Sequence, residues 1–255
     1  MTAPAAGVAM LLRSLKLPGF VRAYADTAGQ AEREGWGFER YLGQLAEIEI
    51  EERRRRRIDR LLRASDLPHD KTLATLKPAQ LPVPVRRRLP GLCEGGFVER
   101  AENLLAFGLP GRGKTHVVAA IGHELVQRGY QVLFVPAFKL VQRLLAAKRD
   151  LALETTLRRL DRFDAVILDD LGYVQQSREE MEVLFTFLAE RYERRSVLIT
   201  SNLVFSQWDR IFHDPMTTAA AIDRLVHHAV ILEMSGKSVR AEEAQLRAAE
   251  PQEGP

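Results

Sequence analysis

Gly108-Leu109-Pro110-Gly111-Arg112-Gly113-Lys114-Thr115 spells G-x-x-x-x-G-K-[ST], and its neighbours decide what such a stretch can be. Before it, Asn103-Leu104-Leu105-Ala106-Phe107 is a short apolar run suited to a buried strand; after it, His116 to Leu125 has the make-up of a helix. Glycines let the backbone curl until successive N–H groups and the helix N-terminus face one anion. The spacing predicts a phosphate loop whose backbone, from Gly108 through His116, wraps a nucleoside triphosphate such as ATP. Lys114 would reach the β- and γ-phosphates, and the Thr115 hydroxyl would coordinate Mg²⁺.

Asp164-Ala165-Val166-Ile167-Leu168-Asp169-Asp170 supplies the second half of such a site. A strand buried on both faces reads as an unbroken apolar run, and its C-terminal end opens onto the ligand crevice. Asp169 is placed to hold hydrated Mg²⁺ and Asp170 to polarise the water that attacks the γ-phosphate. Many ATPases use Glu at the second position, and Asp170 is one methylene shorter.

Around these motifs strands and helices alternate: strand 103–107, helix 113–128, strand 131–135, helix 137–148, strand 164–169, helix 178–192 and strand 197–201. Met181, Leu184, Phe185, Leu188 and Tyr192 give helix 178–192 an apolar face. The alternation predicts an α/β fold, a parallel sheet flanked by helices on both faces. Residues 1–66 read as a small all-helical N-terminal domain, interrupted at Gly35-Trp36-Gly37. Pro68, Pro78, Pro82, Pro84 and Pro90 make 67–93 read as a linker laid over a domain surface. The ATPase core is expected over 94–240 and a polar, disordered tail over 241–255.

At 255 residues and 46% hydrophobic composition, the chain holds one medium α/β domain and a small appendage. One cysteine, Cys93, forms no internal disulfide, and the six histidines show no metal-ligand spacing, so a reducing, cytoplasmic location is the expectation. No apolar run nears the ~18–20 residues that span a bilayer, and no signal peptide is evident. The formal charge is only +3, but it is unevenly spread, with seven arginines and one acid between Arg53 and Arg63. Arg53, Arg54, Arg55, Arg56, Arg57 and Arg60 suit either the phosphate backbone of double-stranded DNA or a solvated helix face. Arg86-Arg87-Arg88 forms a second basic cluster.

Two further features narrow the kind of ATPase. Val197-Leu198-Ile199-Thr200-Ser201-Asn202 is a β-branched strand ending in a polar amide; Asn202 either contacts the γ-phosphate and orients the attacking water or simply starts a turn. Arg224, beside Asp223 in a helical stretch, either reaches a neighbouring subunit's γ-phosphate or forms a local surface pair.

Taken in order, Gly111 to Thr115 with His116, Asp169-Asp170-Leu171-Gly172-Tyr173, Arg191-Tyr192-Glu193, Thr200-Ser201-Asn202, Trp208 and Asp223-Arg224-Leu225 resemble the IstB-like helper ATPases of bacterial insertion sequences. These are relatives of the DnaC-type helicase loaders within the AAA+ class. The likeness runs from about residue 10 to 240. It implies ATP-dependent homo-oligomerisation on DNA with ATP sites at subunit interfaces, and delivery of a target site to a cognate transposase. It also implies Asn202 as sensor 1 and Arg224 as the inter-subunit arginine. Arg112 departs from the small or β-branched residue usual inside the loop, and Ser238-Val239 lacks the tyrosine common before the residue at Arg240. The competing reading is a DnaC-like loader of a replicative helicase.

Overall fold

A computed structural model describes residues 5–172, 177–208 and 215–235. Tyr173, Arg240 and the tail 241–255 lie outside the described residues. The chain divides into two compact units, 1–60 and 61–255.

The first unit is helical: α1 (Ala5–Ser14), α2 (Pro18–Glu34) and α3 (Phe38–Ala64), whose last residues belong to the second unit. Gly35 ends α2 in the left-handed conformation, φ 64°, where a Cβ would be strained, and its N–H donates to the Ala31 carbonyl. The start of α2 has no side-chain cap of its own. Glu49 of α3 fills that role from a distance: the Gly19 N–H donates to its Oε2 at 2.6 Å. Only glycine permits this approach, because a Cβ on residue 19 would lie 2.8 Å from the Glu49 Cα. The arginine run then folds back along its own helix. Arg53 donates to Glu49, and Arg22, Arg55 and Arg56 all converge on Glu52 at 2.8 Å. Both glutamates are 4% exposed, a burial tolerable only because each carboxylate is paired.

The second unit is built on a five-stranded sheet of order β2-β3-β4-β1-β5, with every recorded pairing parallel. Its strands are β1 (Asn103–Phe107), β2 (Val132–Pro136), β3 (Ala165–Leu171), β4 (Ser196–Ser201) and β5 (Ala229–Glu233). Helices α6 (Lys114–Gln127), α7 (Ala137–Arg149), α8 (Leu153–Leu160), α9 (Arg178–Arg191) and α10 (Pro215–Val226) surround it. The expected strands and helices stand within a residue or two of where periodicity puts them, and α8 and β5 are additions. The central strands are fully buried, which is why Leu104-Leu105-Ala106 and Val166-Ile167-Leu168 show no polar alternation. α6 packs closely on the sheet at Gly122, where a Cβ would come within 2.9 Å of both Ile167 and Leu67.

That contact bears on the expected linker. Residues 67–93 do not merely lie over a surface: Leu67, Leu76, Leu81, Val85, Leu89 and Leu92 are buried. They include α4 (Val83–Glu94), followed by the single turn α5 (Gly96–Glu99). The prolines misled because Pro82 and Pro84 occupy the cap and first turn of α4, where a missing N–H costs nothing; only Pro90 is interior.

Arg191, at the end of α9, is a buried cross-brace, 2% exposed. Its guanidinium donates to the carbonyls of Leu160, Phe163 and Ser196 at 2.9–3.0 Å, tying α8 to the starts of β3 and β4. Burial pulls its pKa down to about 10, which leaves the group charged at neutral pH.

Candidate active site

The sheet order brings β3, β4 and β1 side by side, so the loops at their C-terminal ends share one edge. The phosphate loop follows β1, the two acids end β3, and Asn202 follows β4. A backbone bond joins two of these ends: the Gly108 N–H donates to the Ser201 carbonyl at 3.3 Å.

Within the loop, Gly108, Gly111 and Gly113 all have positive φ, at 153°, 77° and 79°. α6 begins at Lys114, so its first, otherwise unsatisfied N–H groups face the loop. The Lys114 side chain is buried and Nζ donates to the carbonyls of Gly108 and Leu109, at 2.7 and 3.0 Å, which holds an ammonium inside the loop's curve. One guanidinium nitrogen of Arg112 (Nη1) is buried without a hydrogen-bond partner. A curled backbone, a buried ammonium, an unsatisfied buried donor and a helix N-terminus together fit a polyphosphate. The Thr115 hydroxyl and the Asp169 carboxylate are hard oxygen donors of the kind Mg²⁺ takes.

The end of β3 is irregular. Leu168 pairs with Ile199 and Leu171 with Ser201, so Asp169 and Asp170 together face the single residue Thr200. Asp170 has φ 59°, a left-handed backbone that Asp tolerates better than most residues. The Thr200 hydroxyl donates to Asp169 Oδ1 at 2.7 Å and accepts the Asp170 N–H at 2.8 Å. The amide oxygen of Asn202 is buried without a partner, next to Gly172.

The structure thus gathers Gly108 to His116, Asp169, Asp170 and Asn202 at one edge. Arg224 lies elsewhere on α10, half-buried, its guanidinium 4.8 Å over the Phe185 ring of α9 and donating to Ala220. Arg53 to Arg57 and Arg60 belong to α3, where Arg53 to Arg56 have carboxylate partners. His227 and His228 follow Val226, the last residue of α10, and their ring nitrogens lie with a Glu193 carboxylate oxygen within 4.8 Å of one another, all on exposed side chains, a grouping that histidine spacing in the sequence does not show.

Several contributors escape sequence reading. His116 Nε2 lies 3.1 Å from both the Thr75 hydroxyl and the Thr72 carbonyl, so residues 68–76 pack against the start of α6. Met234, just past β5, crosses the loop so closely that a Cβ on Gly108 would sit 2.4 Å from its carbonyl oxygen. A cavity opens between them, lined by Phe107, Leu109, Arg112, Val204 and Ile231. The run Ala229-Val230-Ile231-Leu232 was the available signal for β5. Nothing local marks Thr72 or Met234, and Thr200, though part of the Thr-Ser-Asn motif, gains its contacts to the two acids only from strand register.

Comparison with known proteins gives the chain's family. A model of IstB-like ATP-binding proteins matches residues 10–247. The chain belongs to that family. An insertion-sequence ATP-binding protein of Sinorhizobium fredii is 43% identical over 240 residues, covering 94% of this chain and 80% of the relative. The IS21 insertion-sequence ATP-binding protein of Pseudomonas aeruginosa is 35% identical, covering 92% and 88%. Among solved structures, the DnaC helicase loader aligns with a TM-score of 0.51 at 19% identity, over 69% of this chain and 99% of that one. The replication initiator DnaA bound to AMPPCP and single-stranded DNA gives 0.58 at 17% identity, over 74% and 59%. The fold of this IstB-like chain is the P-loop AAA+ fold. Among the described residues no helix is long and apolar enough to cross a membrane.

Proposed function

We propose that this IstB-like protein hydrolyses ATP with Mg²⁺, assembles on double-stranded DNA, and assists a transposase in choosing a target site during DNA transposition. The observation that carries the reading is 43% identity, over nearly the whole chain, to an insertion-sequence ATP-binding protein. The site geometry agrees with it.

Lys114 and the loop amides bind the phosphates, and the N-terminus of α6 adds its partial positive charge. Thr115 and Asp169 would hold Mg²⁺, which would supply positive charge to offset that of the phosphates. Asp170 accepts the proton of the attacking water, and Asn202 orients that water. Arg224 completes the site of a neighbouring subunit, so assembly and turnover rise together. The arginines of α3 supply contacts to the DNA backbone.

The test separates binding from turnover. Lys114→Ala should weaken ATP binding at least tenfold, whereas Asp170→Asn should bind ATP as the wild type does and hydrolyse it ~10²-fold more slowly. Near wild-type turnover by Asp170→Asn would remove the second acid from catalysis. For the biological role, DNA-stimulated ATPase that rises further with the transposase encoded beside the gene is the expected result. Stimulation by a replicative helicase instead would make the protein a loader.

A further inference from the structure

A strand that bulges leaves backbone groups without a ladder partner, and here the bulge falls on the two acids of the site. Asp169 and Asp170 oppose the single residue Thr200, and the left-handed backbone at Asp170 takes its N–H out of the regular pattern. In an unbroken strand these neighbours would point to opposite faces of the sheet. The bulge breaks that alternation at the two acids, and something has to hold it in shape. Thr200 is fully buried, and its hydroxyl occupies both of its roles at once: it accepts the Asp170 N–H at 2.8 Å and donates to Asp169 Oδ1 at 2.7 Å. The neighbouring hydroxyl is committed elsewhere, since Ser201 donates to the Leu171 carbonyl on the far side of the bulge.

We infer that Thr200 is the positioning residue of the site: its hydroxyl sets the carboxylate of the metal-binding acid and the backbone of the water-activating acid together. This deepens the proposed ATPase reading and rests on it. It divides the end of β4 between two residues, with Thr200 addressing the acids and Asn202 the nucleotide. Donation from Thr200 occupies one lone pair of Asp169 Oδ1 and orients the carboxylate, leaving the other oxygen's lone pairs for hydrated Mg²⁺. Hydrogen-bond partners that orient metal ligands are worth about 10–100-fold in metal affinity when removed.

The experiment uses the full chain and a fluorescent ATP analogue, titrated with Mg²⁺ and repeated in EDTA. Thr200→Val keeps the shape and removes the hydroxyl; Thr200→Ser keeps the hydroxyl. Thr200→Val should raise the Mg²⁺ concentration for half-maximal nucleotide binding by about tenfold, with affinity in EDTA within about twofold of the wild type. Thr200→Ser should restore the wild-type midpoint. Should Thr200→Val not fold, Thr200→Cys, which keeps only a weak donor of similar size, should show the same upward shift. An unchanged midpoint in the folded valine or cysteine variant overturns the role of Thr200 while leaving the ATPase reading intact. A wild-type chain whose analogue binding does not depend on Mg²⁺ also overturns the role of Thr200, and one that does not bind the analogue at all overturns both.

Discussion

Gly108 shows how narrow the tolerances at the site are. Its φ is 153°, and a side chain there would drive into the carbonyl of Met234. Gly108→Ala is therefore expected to strain the backbone by about 1–3 kcal/mol and to push the segment after β5 away from the loop. A lowered melting temperature with ATP affinity down tenfold or more, by calorimetry, checks this; a variant that binds ATP normally would show that the crossing is soft. The residues that a spacing rule can name, Lys114, Thr115, Asp169 and Asp170, were legible because the phosphate loop and the strand-end acids are local patterns. Met234 was not, nor was the link from Thr200 to the two acids, because a backbone carbonyl or a buried hydroxyl gains its role only from the chain brought against it.

Among the elements, the pairing of α2 with α3 rests on a carboxylate where a cap would normally be. Burial alone would push the Glu49 carboxyl up, but the Arg53 guanidinium and the Gly19 and Phe20 N–H groups outweigh it and hold the group below the ordinary carboxylate range. A lowered native pKa means that the stabilisation is complete above the ordinary value, about 4.3, and is lost as pH falls through the lower native one. The first unit should keep a constant melting temperature from pH 7 to about 5 and lose it steeply below about 4, followed by circular dichroism. Glu49→Gln should cost about 1–3 kcal/mol at pH 7 and flatten that acid limb; an equally steep limb would assign the acid sensitivity to other carboxylates. Periodicity found α3, but it could not show which glutamates turn inward, since Glu47, Glu49, Glu51 and Glu52 look alike until α2 is laid against them. The same limit hid α8 and β5, too short to show a period, and α4, whose prolines read as breaks until their places in the first turn were seen.

For the whole molecule, the arginines of α3 offer less uncommitted charge than their number suggests. Arg53, Arg55 and Arg56 neutralise the two buried glutamates, so replacing the full run would unsettle the helices as well as any DNA contact. Arg54, whose partner Glu51 is itself exposed, and Arg60 can be changed without uncoupling Glu49 or Glu52. Replacing both with glutamine should reduce the slope of log affinity for duplex DNA against log salt by up to ~1.8, about 0.9 for each phosphate that is no longer neutralised. An unchanged slope with unchanged affinity would move the DNA surface elsewhere. The margins of the sheet bear on a different property, how the protein behaves when concentrated. β2 and β5 are its outer strands, yet the Phe134 N–H donates to the Ser65 carbonyl at 2.7 Å and Arg88 donates to the Ile231 carbonyl at 3.0 Å. An edge strand with bare backbone is a template on which other chains can add strands and precipitate. Both rails are interrupted here, β2 by Ser65 just after α3 and β5 by Arg88 of α4, so part of the segment that looked like a mere connector also guards the sheet against aggregation.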